Sequence, residues 1–436
     1  KVNSLIQGTL IPNYHLYIDL ANALVKQGDL KKGLASHRLI PNCKPNNFSH
    51  FGTDNIESLS SSDVFGDSGA LSKTHPNFES RPNQEQYAKL VNQILSENSQ
   101  IGVLEAGTGL GKSMAYLFGA IKESRNVEED GPVVIACNTK HLQDQLFHND
   151  LPLLAKALNT PVKAVLLKGR KNYLCRTRLN WLISDSKTLD ELEIEALIPI
   201  LFWLYWTKTG DIYECSGFLN TRRNWLKSMI SSDTGFCTSE VCKKNKGCYY
   251  GQLKKSSFQS QIIIANHSLL MTNVSQEGLL PLFNSVIIDE AHNLVRAAYE
   301  QFKVEWSEQN VSYQLQSIDP SHPRSNRWNN VLQHLSNLKP DIYEAREQLK
   351  SSVKDSLQGL NVFMVELAQE NQHRYTSSKS YQDKPILSNI DKIYASQKSN
   401  LDHLKKCFEK IFIVLEKLKK MVLEADPKRI EYPALH

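Results

Sequence analysis

Nowhere in the 436 residues does an apolar run approach the roughly 20 residues needed to cross a bilayer. The opening, KVNSLIQGTLIPNYHLY, lacks the basic, apolar and small-residue order of a secretory signal. It also lacks an initiating methionine, so sequence upstream of Lys1 is expected. Cysteine is scarce, eight in all, too few for a disulfide-stapled secreted domain. Glycine and proline are modest, and neither charge sign dominates; a net +5 is only a faint pointer to a polyanionic partner. These absences leave a globular protein expected in the cytoplasm, with no membrane partner. At 41% hydrophobic and 22% charged residues, it is long enough for roughly two to four domains.

What is present is uneven along the chain. Residues 1–43 hold one amphipathic pattern, HLYIDLANALVKQGDLKKGLASHRLI, and are expected as a helical extension. Within it LANALVKQGD resembles half of a tetratricopeptide-type hairpin, too little to stack. Residues 44–77 are rich in Ser, Asn, Asp and Gly without helical period and are expected as a linker. Then come five short apolar runs, IGVLEAG, PVVIACNT, VKAVLLKG, QIIIANH and SVIIDEAH, with helical segments between several of them. That alternation predicts a parallel sheet covered on both faces, an α/β domain. An insertion, 168–258, separates the third run from the fourth. After the fifth run the chain turns polar, and QKSNLDHLKKCFEKIFIVLEKLKKMVLEAD predicts a long amphipathic helix.

Two of the runs end in chemistry. VLEAGTGLGKSMAYLFGAI reads as a strand, a glycine-rich turn and a helix, the setting a phosphate-binding loop requires. Gly107, Thr108, Gly109 and Gly111 let successive N–H groups face an anion. Lys112 reaches the terminal phosphates, and Ser113 is suited to Mg²⁺. Ala106 stands where the strict pattern has its first glycine. Far downstream, SVIIDEAHNL sets Asp289, Glu290 and His292 at the C-terminal end of a strand, where open α/β sheets collect ligands. Asp289 suits Mg²⁺, Glu290 the polarisation of an attacking water, and His292 the sensing of nucleotide state. Together the motifs define a nucleoside triphosphatase expected to bind ATP and Mg²⁺.

The phosphate loop, DEAH and a cysteine-bearing insertion between them resemble the DinG/XPD-like iron–sulfur helicases of superfamily 2, most closely the bacterial DinG type. The resemblance implies a RecA-like motor domain in two parts, 78–167 and 259–295, around an iron–sulfur insertion at 168–258. It reads 296–436 as a helical, arch-like region, incomplete here. RPNQEQ is similar to the family's adenine-sensing motif, which implies that Arg81 and Gln84 approach the base. CNTKHLQDQLFHNDLP is similar to its motif Ia, marking Asn138, Thr139 and Gln143 as contacts to single-stranded or forked DNA. IIIANHSLLM marks Asn266 and His267. The family's 5′→3′ polarity is implied by resemblance alone.

CTSEVCKKNKGC carries Cys237, Cys242 and Cys248, one thiolate short of a tetrahedral set. Four thiolates suit zinc or an iron–sulfur cluster on ligand chemistry alone. Gaps of four and five residues are unlike the Cys-x-x-Cys knuckles of a zinc ribbon. The resemblance favours a 4Fe–4S cluster with Cys175, after KGRKNYL, as fourth ligand; Cys215 has no counterpart in the family. Around the cysteines, basic residues alternate with aromatics: Lys168, Arg170, Lys171, Arg176, Arg178, Arg222, Arg223, Lys227, Lys243, Lys244 and Lys246 beside Tyr173, Trp181, Trp225, Tyr249 and Tyr250. As a group they point to single-stranded nucleic acid, with Arg170, Lys171 and Arg176 as its leading contacts. Each aromatic taken alone reads as core packing.

No motif after Asn293 resembles a second motor domain, an arginine finger or the family's Ser-Ala-Thr segment. The chain is therefore expected to be the N-terminal portion of a longer ATP-dependent helicase, poorly active alone. Residues 1–77 are too short, and lack the carboxylates, for the exonuclease some relatives carry. The rival readings are a non-enzymatic nucleic-acid or partner-binding module and a metabolic P-loop enzyme.

Overall fold

The computed structural model describes residues 47–52, 56–97, 101–124, 131–184, 191–204, 207–221, 223, 225–233, 237, 248–276, 278–304, 306–322, 332–333, 335–337, 339–372 and 394–425. The expected helical extension, 1–43, lies outside them. Two compact units are distinguished, 1–303 and 304–436.

The first unit is organised by a five-stranded sheet in the order β1-β3-β4-β2-β5: β1 (Asn47–His50), β2 (Val133–Cys137), β3 (Val162–Leu166), β4 (Ile262–Asn266) and β5 (Val286–Ile288). The pairs β3–β4, β4–β2 and β2–β5 are parallel, and β1 closes one edge antiparallel to β3. β2 is VVIAC and β4 is IIIAN, near-continuous apolar strands of the kind buried on both faces. Alternate side chains sort accordingly. Val133, Ile135, Cys137, Ala164, Leu166, Ile262 and Ile264 join one core, and Val134, Ala136, Val165, Ile263 and Ala265 join the other.

The stretch expected as a linker belongs to this unit wherever it is described. β1 supplies an edge strand, and two short helices follow, α1 (Ser61–Phe65) and α2 (Ala70–Thr74). Ser60 caps α1 reciprocally: its hydroxyl accepts from Asp63 N at 3.3 Å, and its own N–H donates to Asp63 Oδ2 at 2.8 Å. Ile56, Val64, Phe65 and Leu71 are buried in the first core, with Phe65 edge-on to Phe118 at 5.9 Å. Polar composition misled here because a few apolar residues among many serines suffice to anchor the segment.

The helices on that face are α3 (Pro82–Ser96), α4 (Lys112–Glu123), α5 (Lys140–Gln145), a π-type turn at Leu146–Asp150, and α6 (Leu151–Leu158). Pro82 opens α3 at the position where a missing N–H costs nothing. The run IGVLEAG, expected as the strand before the phosphate loop, forms no ladder, and Ile101 and Val103 are 94% and 91% exposed. Its valine and isoleucine favour extended backbone, but a strand also needs a neighbour, which β2 and β4 have on both sides.

The insertion builds a core of its own. It is formed by α7 (Arg176–Ser184), α8 (Glu191–Trp203), α9 (Ser216–Leu219), α10 (Leu226–Ile230) and the start of α11 (Tyr249–Ser257), with Leu197, Leu201, Ile212, Phe218 and Leu226 fully buried. The chain then re-enters the sheet at β4 and continues through α12 (His267–Ser275), β5 and α13 (Leu294–Phe302).

In the second unit α14 (Glu308–Ile318) accompanies two long helices, α15 (Pro340–Gln372) and α16 (Lys398–Ala425). Ile342, Ala345, Leu349 and Val353 share a core with Ile411, Val414, Leu418 and Val422, while Leu360 and Phe363 meet Leu404. The long helices therefore run antiparallel. No helix among the described residues is long and apolar enough to cross a membrane.

Phe65→Ala tests the incorporation of 47–74. Loss of a fully buried aromatic is expected to lower stability by about 3–5 kcal/mol in denaturant unfolding. A change near zero would return the segment to linker status.

Candidate active site

The phosphate loop closes onto the N-terminus of α4. Gly109 and Gly111 have φ of +79° and +85°, the left-handed region that side chains resist. Conformation favours glycine at Gly111, and a Cβ there would lie 2.1 Å from Gln84 Nε2 and displace that amide. At Gly107 and Gly109 a Cβ would meet nothing within 4 Å, which leaves the inner side of the loop open. That opening, and the start of α4 beneath it, fit a phosphate.

The first turn of α3 clamps the loop from outside. Gln84, buried, donates from Nε2 to Gly111 O at 2.9 Å, and Arg81 Nη1 donates to Gly109 O. Both residues of the expected base-sensing motif thus contact the loop backbone itself.

Across the site, β5 delivers the acidic box. Asp289 N donates to Ala136 O at 2.9 Å, continuing the β2–β5 ladder one residue past the strand. Glu290 then takes φ +52°, an uncommon conformation for a residue with a side chain. The turn brings its carboxylate 3.4 Å from the Lys112 ammonium, joining motifs 178 residues apart. Lys112 also donates to Ala106 O at 3.3 Å, and His292 Nδ1 lies 3.4 Å from the second Glu290 oxygen. His267 is buried and donates from Nε2 to Asp289 O at 2.8 Å. Asn266 caps α12, accepting from Leu269 N at 2.9 Å. Of the two, His267 supports the box directly.

Tyr116 is a participant that the motif reading missed. It stands one helical turn after Lys112, is buried, and donates to Asp289 Oδ2 at 3.1 Å. Burial, and then the Asp289 charge, hold its phenol well above the ordinary range. The i, i+4 spacing from Lys112 was its only sequence signal. Ser113, in the first turn of α4, and Asp289, on the Tyr116 hydroxyl, are the pair that could hold Mg²⁺ beside a bound nucleotide.

The candidate nucleic-acid contacts divide. Asn138 and Thr139 are exposed beyond β2, and the Thr139 hydroxyl accepts from Leu142 N at 3.2 Å as the cap of α5. Gln143 is fully buried and donates to Leu167 O at 3.4 Å, so its side chain braces the sheet and is removed from the contact set. Lys168 leaves the basic cluster likewise. Its ammonium is buried between Asp144 at 2.8 Å and Asp211 at 2.9 Å. Burial opposes its charge, yet the two carboxylates outweigh that cost and raise its pKa. Arg178 is drawn inward to Ser231 O at 2.6 Å, and Arg170 lies over the Tyr250 ring at 5.0 Å. Lys171 is exposed and Arg176 partly exposed. Tyr173, Tyr249 and Tyr250 are buried as core residues, while Trp225 is exposed.

Cys175, Cys237 and Cys248 are described; Cys242 lies outside the described residues. Burial pushes the Cys175 thiol up to about 11, and the Cys237 and Cys248 thiols add to the rise, so the three share one neighbourhood. Cys215 is also pushed up to about 11, by burial alone among apolar residues of the insertion core. Among the described residues no group of three or more His, Cys, Asp or Glu is gathered tightly enough to hold a metal ion.

A phosphate loop and an acidic box brought together at one edge of a mostly parallel sheet define a P-loop nucleotide-binding protein. Residues 213–311 match the DEAD_2 family model. The chain is 33% identical over 244 residues to ATP-dependent DNA helicase YoaA of Haemophilus influenzae and 34% identical over 245 residues to YoaA of Escherichia coli. Each match covers 55% of this chain and 37% of the relative. It is 26% identical over 336 residues to 3′-5′ exonuclease DinG of Staphylococcus aureus (strain USA300), covering 72% of this chain and 35% of that protein. The chain is thus homologous to YoaA and DinG, as the DinG/XPD-like motifs implied. It spans about a third of the length of these curated relatives.

Gly111→Ala is expected to cost about 1–2 kcal/mol in unfolding experiments, from the left-handed backbone. It should also weaken nucleotide binding by displacing Gln84, measured by fluorescent-nucleotide titration. Unchanged binding would show that the Gln84 clamp is dispensable.

Proposed function

We propose that the chain is the nucleotide-binding part of an ATP-dependent DNA helicase or translocase acting on single-stranded DNA. The observation that supports this best is the approach of Lys112 to Glu290, with Asp289 beside them on the same sheet edge. In this reading Lys112 exchanges its contact with Glu290 for the terminal phosphates of ATP. Glu290, released, orients the attacking water, and His292, against Glu290, carries the nucleotide state onward. Mg²⁺, held by Ser113 and Asp289, would supply charge neutralisation at the phosphates. Gln84 and Arg81 keep the loop in shape while its contacts change.

The domain reading follows: 78–167 and 259–295 as the two parts of a RecA-like motor domain, 168–258 as an iron–sulfur insertion, and 296–436 as an arch-like region. Cys175, Cys237, Cys242 and Cys248 are proposed to hold the 4Fe–4S cluster. The choice of Cys175 over Cys215 is supported by its place in the fold: Cys175 N donates to Ile230 O and Ser232 N to Tyr173 O, and the Ser232 hydroxyl lies 3.2 Å from Cys237 Sγ. The cluster would have a structural part, fastening the insertion that grips the strand. Polarity of 5′→3′ is carried over from the family.

Lys112→Ala, made in the whole protein, is expected to lower DNA-stimulated ATP hydrolysis about a hundredfold or more. Full biological activity in that variant would favour a binding module over a motor. For the insertion, anaerobically purified protein should be brown with broad absorbance at roughly 400 nm. Iron content should fall in Cys175→Ser and persist in Cys215→Ser. A colourless protein with stoichiometric zinc would replace the cluster by a zinc site.

A further inference from the structure

Tyr213 lies on the 3₁₀ turn Ile212–Glu214 of the insertion, and the residue is 45% exposed. Two ammonium groups sit against its ring. Lys140, the first residue of α5, is 3.7 Å from the ring centroid, and Lys227, on α10, is 3.5 Å from it. Sharing one ring, the two cations are held within about 7 Å of each other. They reach it from separate places, one at the C-terminal end of β2 and one inside the insertion. Lys140 is further fixed by donating to Asn172 Oδ1 at 2.7 Å.

The acids close by in the chain have other partners. Asp144 and Asp211 hold Lys168, and Glu214 accepts from the Thr209 hydroxyl at 2.5 Å. Among the described residues neither Lys140 nor Lys227 has a carboxylate within 4.0 Å. The ring attracts each cation weakly through its quadrupole, and this attraction has to overcome the repulsion between like charges. Lys227 and then Lys140 draw the Tyr213 phenol below its ordinary value, as expected where positive potential gathers. Two ammoniums no more than about 7 Å apart, beside a hydroxyl and a partly exposed ring, gather positive charge that suits an anion. Exposed Lys171 and Trp225 lie close along the same segments, a basic and an aromatic side chain of the kind that track a strand.

We propose that Lys140, Tyr213 and Lys227 form a clamp for one phosphodiester of a nucleic-acid strand, gripping it jointly from the sheet edge and from the insertion. The proposal rests on the nucleic-acid reading above and names a subsite within it. It also gives Tyr213 a role: its ring draws together two like charges from separate helices that would otherwise repel each other.

The test is the salt dependence of binding of a fluorescent single-stranded DNA oligonucleotide to the complete chain. Lys140→Gln with Lys227→Gln is expected to weaken binding alike for all sequences. It should also reduce the slope of log affinity against log salt by about 0.7, the share of one phosphate on a single strand. Lys140→Arg with Lys227→Arg should keep the slope, as should Lys89→Gln, a change at an exposed lysine on α3. If the wild type binds and the double glutamine variant keeps its full slope, the clamp is wrong and the nucleic-acid reading stands. If the wild type shows no salt-dependent binding, both fall. Thermal melting without DNA checks that the variant is folded. Should it melt below assay temperature, the two single variants replace it, and each must weaken binding for the clamp to hold.

Discussion

The ladder between β2 and β5 is short, three residue pairs from Val134–Val286 to Ala136–Ile288, and the rest of the nucleotide site depends on it. Extended by the bond from Asp289 N to Ala136 O, it sets the acidic box at the sheet edge that faces the start of α4. From there Asp289 meets Tyr116, and the left-handed turn at Glu290 swings a carboxylate onto Lys112. Slipping the register by one residue would exchange the faces of β5 and carry Asp289 away from Tyr116. Parallel pairing therefore has a chemical consequence here: it converts two distant segments into one site.

A second set of contacts performs the same service for the insertion. Lys168, where the chain leaves β3, is held between Asp144 of α5 and Asp211 of the insertion. Lys168 and Asp211 are buried while Asp144 is half-exposed; a buried pair of this kind adds little net stability compared with apolar packing, but removing one partner leaves the other's charge buried and unpaired. Lys140 on the same helix reaches Asn172 and Tyr213, making α5 the element to which the insertion is fastened. Helix α5 begins directly beyond β2, the neighbour of β5.

The motifs that were legible in the sequence depend mainly on backbone and local order. Gly107, Gly109, Gly111 and Lys112 define a loop through the conformations they permit, and the loop has that form even though IGVLEAG pairs with no strand. The buried strands VVIAC and IIIAN were equally legible, since near-continuous apolar runs of that length have few other uses. Composition failed at 56–74, where buried Ile56, Phe65 and Leu71 anchor an otherwise polar stretch. It failed again at Lys168 and Gln143, which look like surface residues in a basic, polar segment and are buried by partners from elsewhere in the chain.

By itself the sequence determined the class of chemistry: a phosphate-binding loop, an acidic box, a parallel sheet to carry them, and a cysteine-bearing basic insertion between them. These are properties of spacing and residue type within single segments. Only the tertiary structure decided which polar side chains face outward and which are consumed in holding the fold. It brought Tyr116 to Asp289, took Lys168 out of the basic cluster, turned Gln143 of the motif Ia segment inward, and set Lys140 and Lys227 on one tyrosine ring. The reason is physical: a charge or hydrogen-bonding group is free or committed according to its neighbours in space. For these residues the neighbours lie tens to hundreds of positions away.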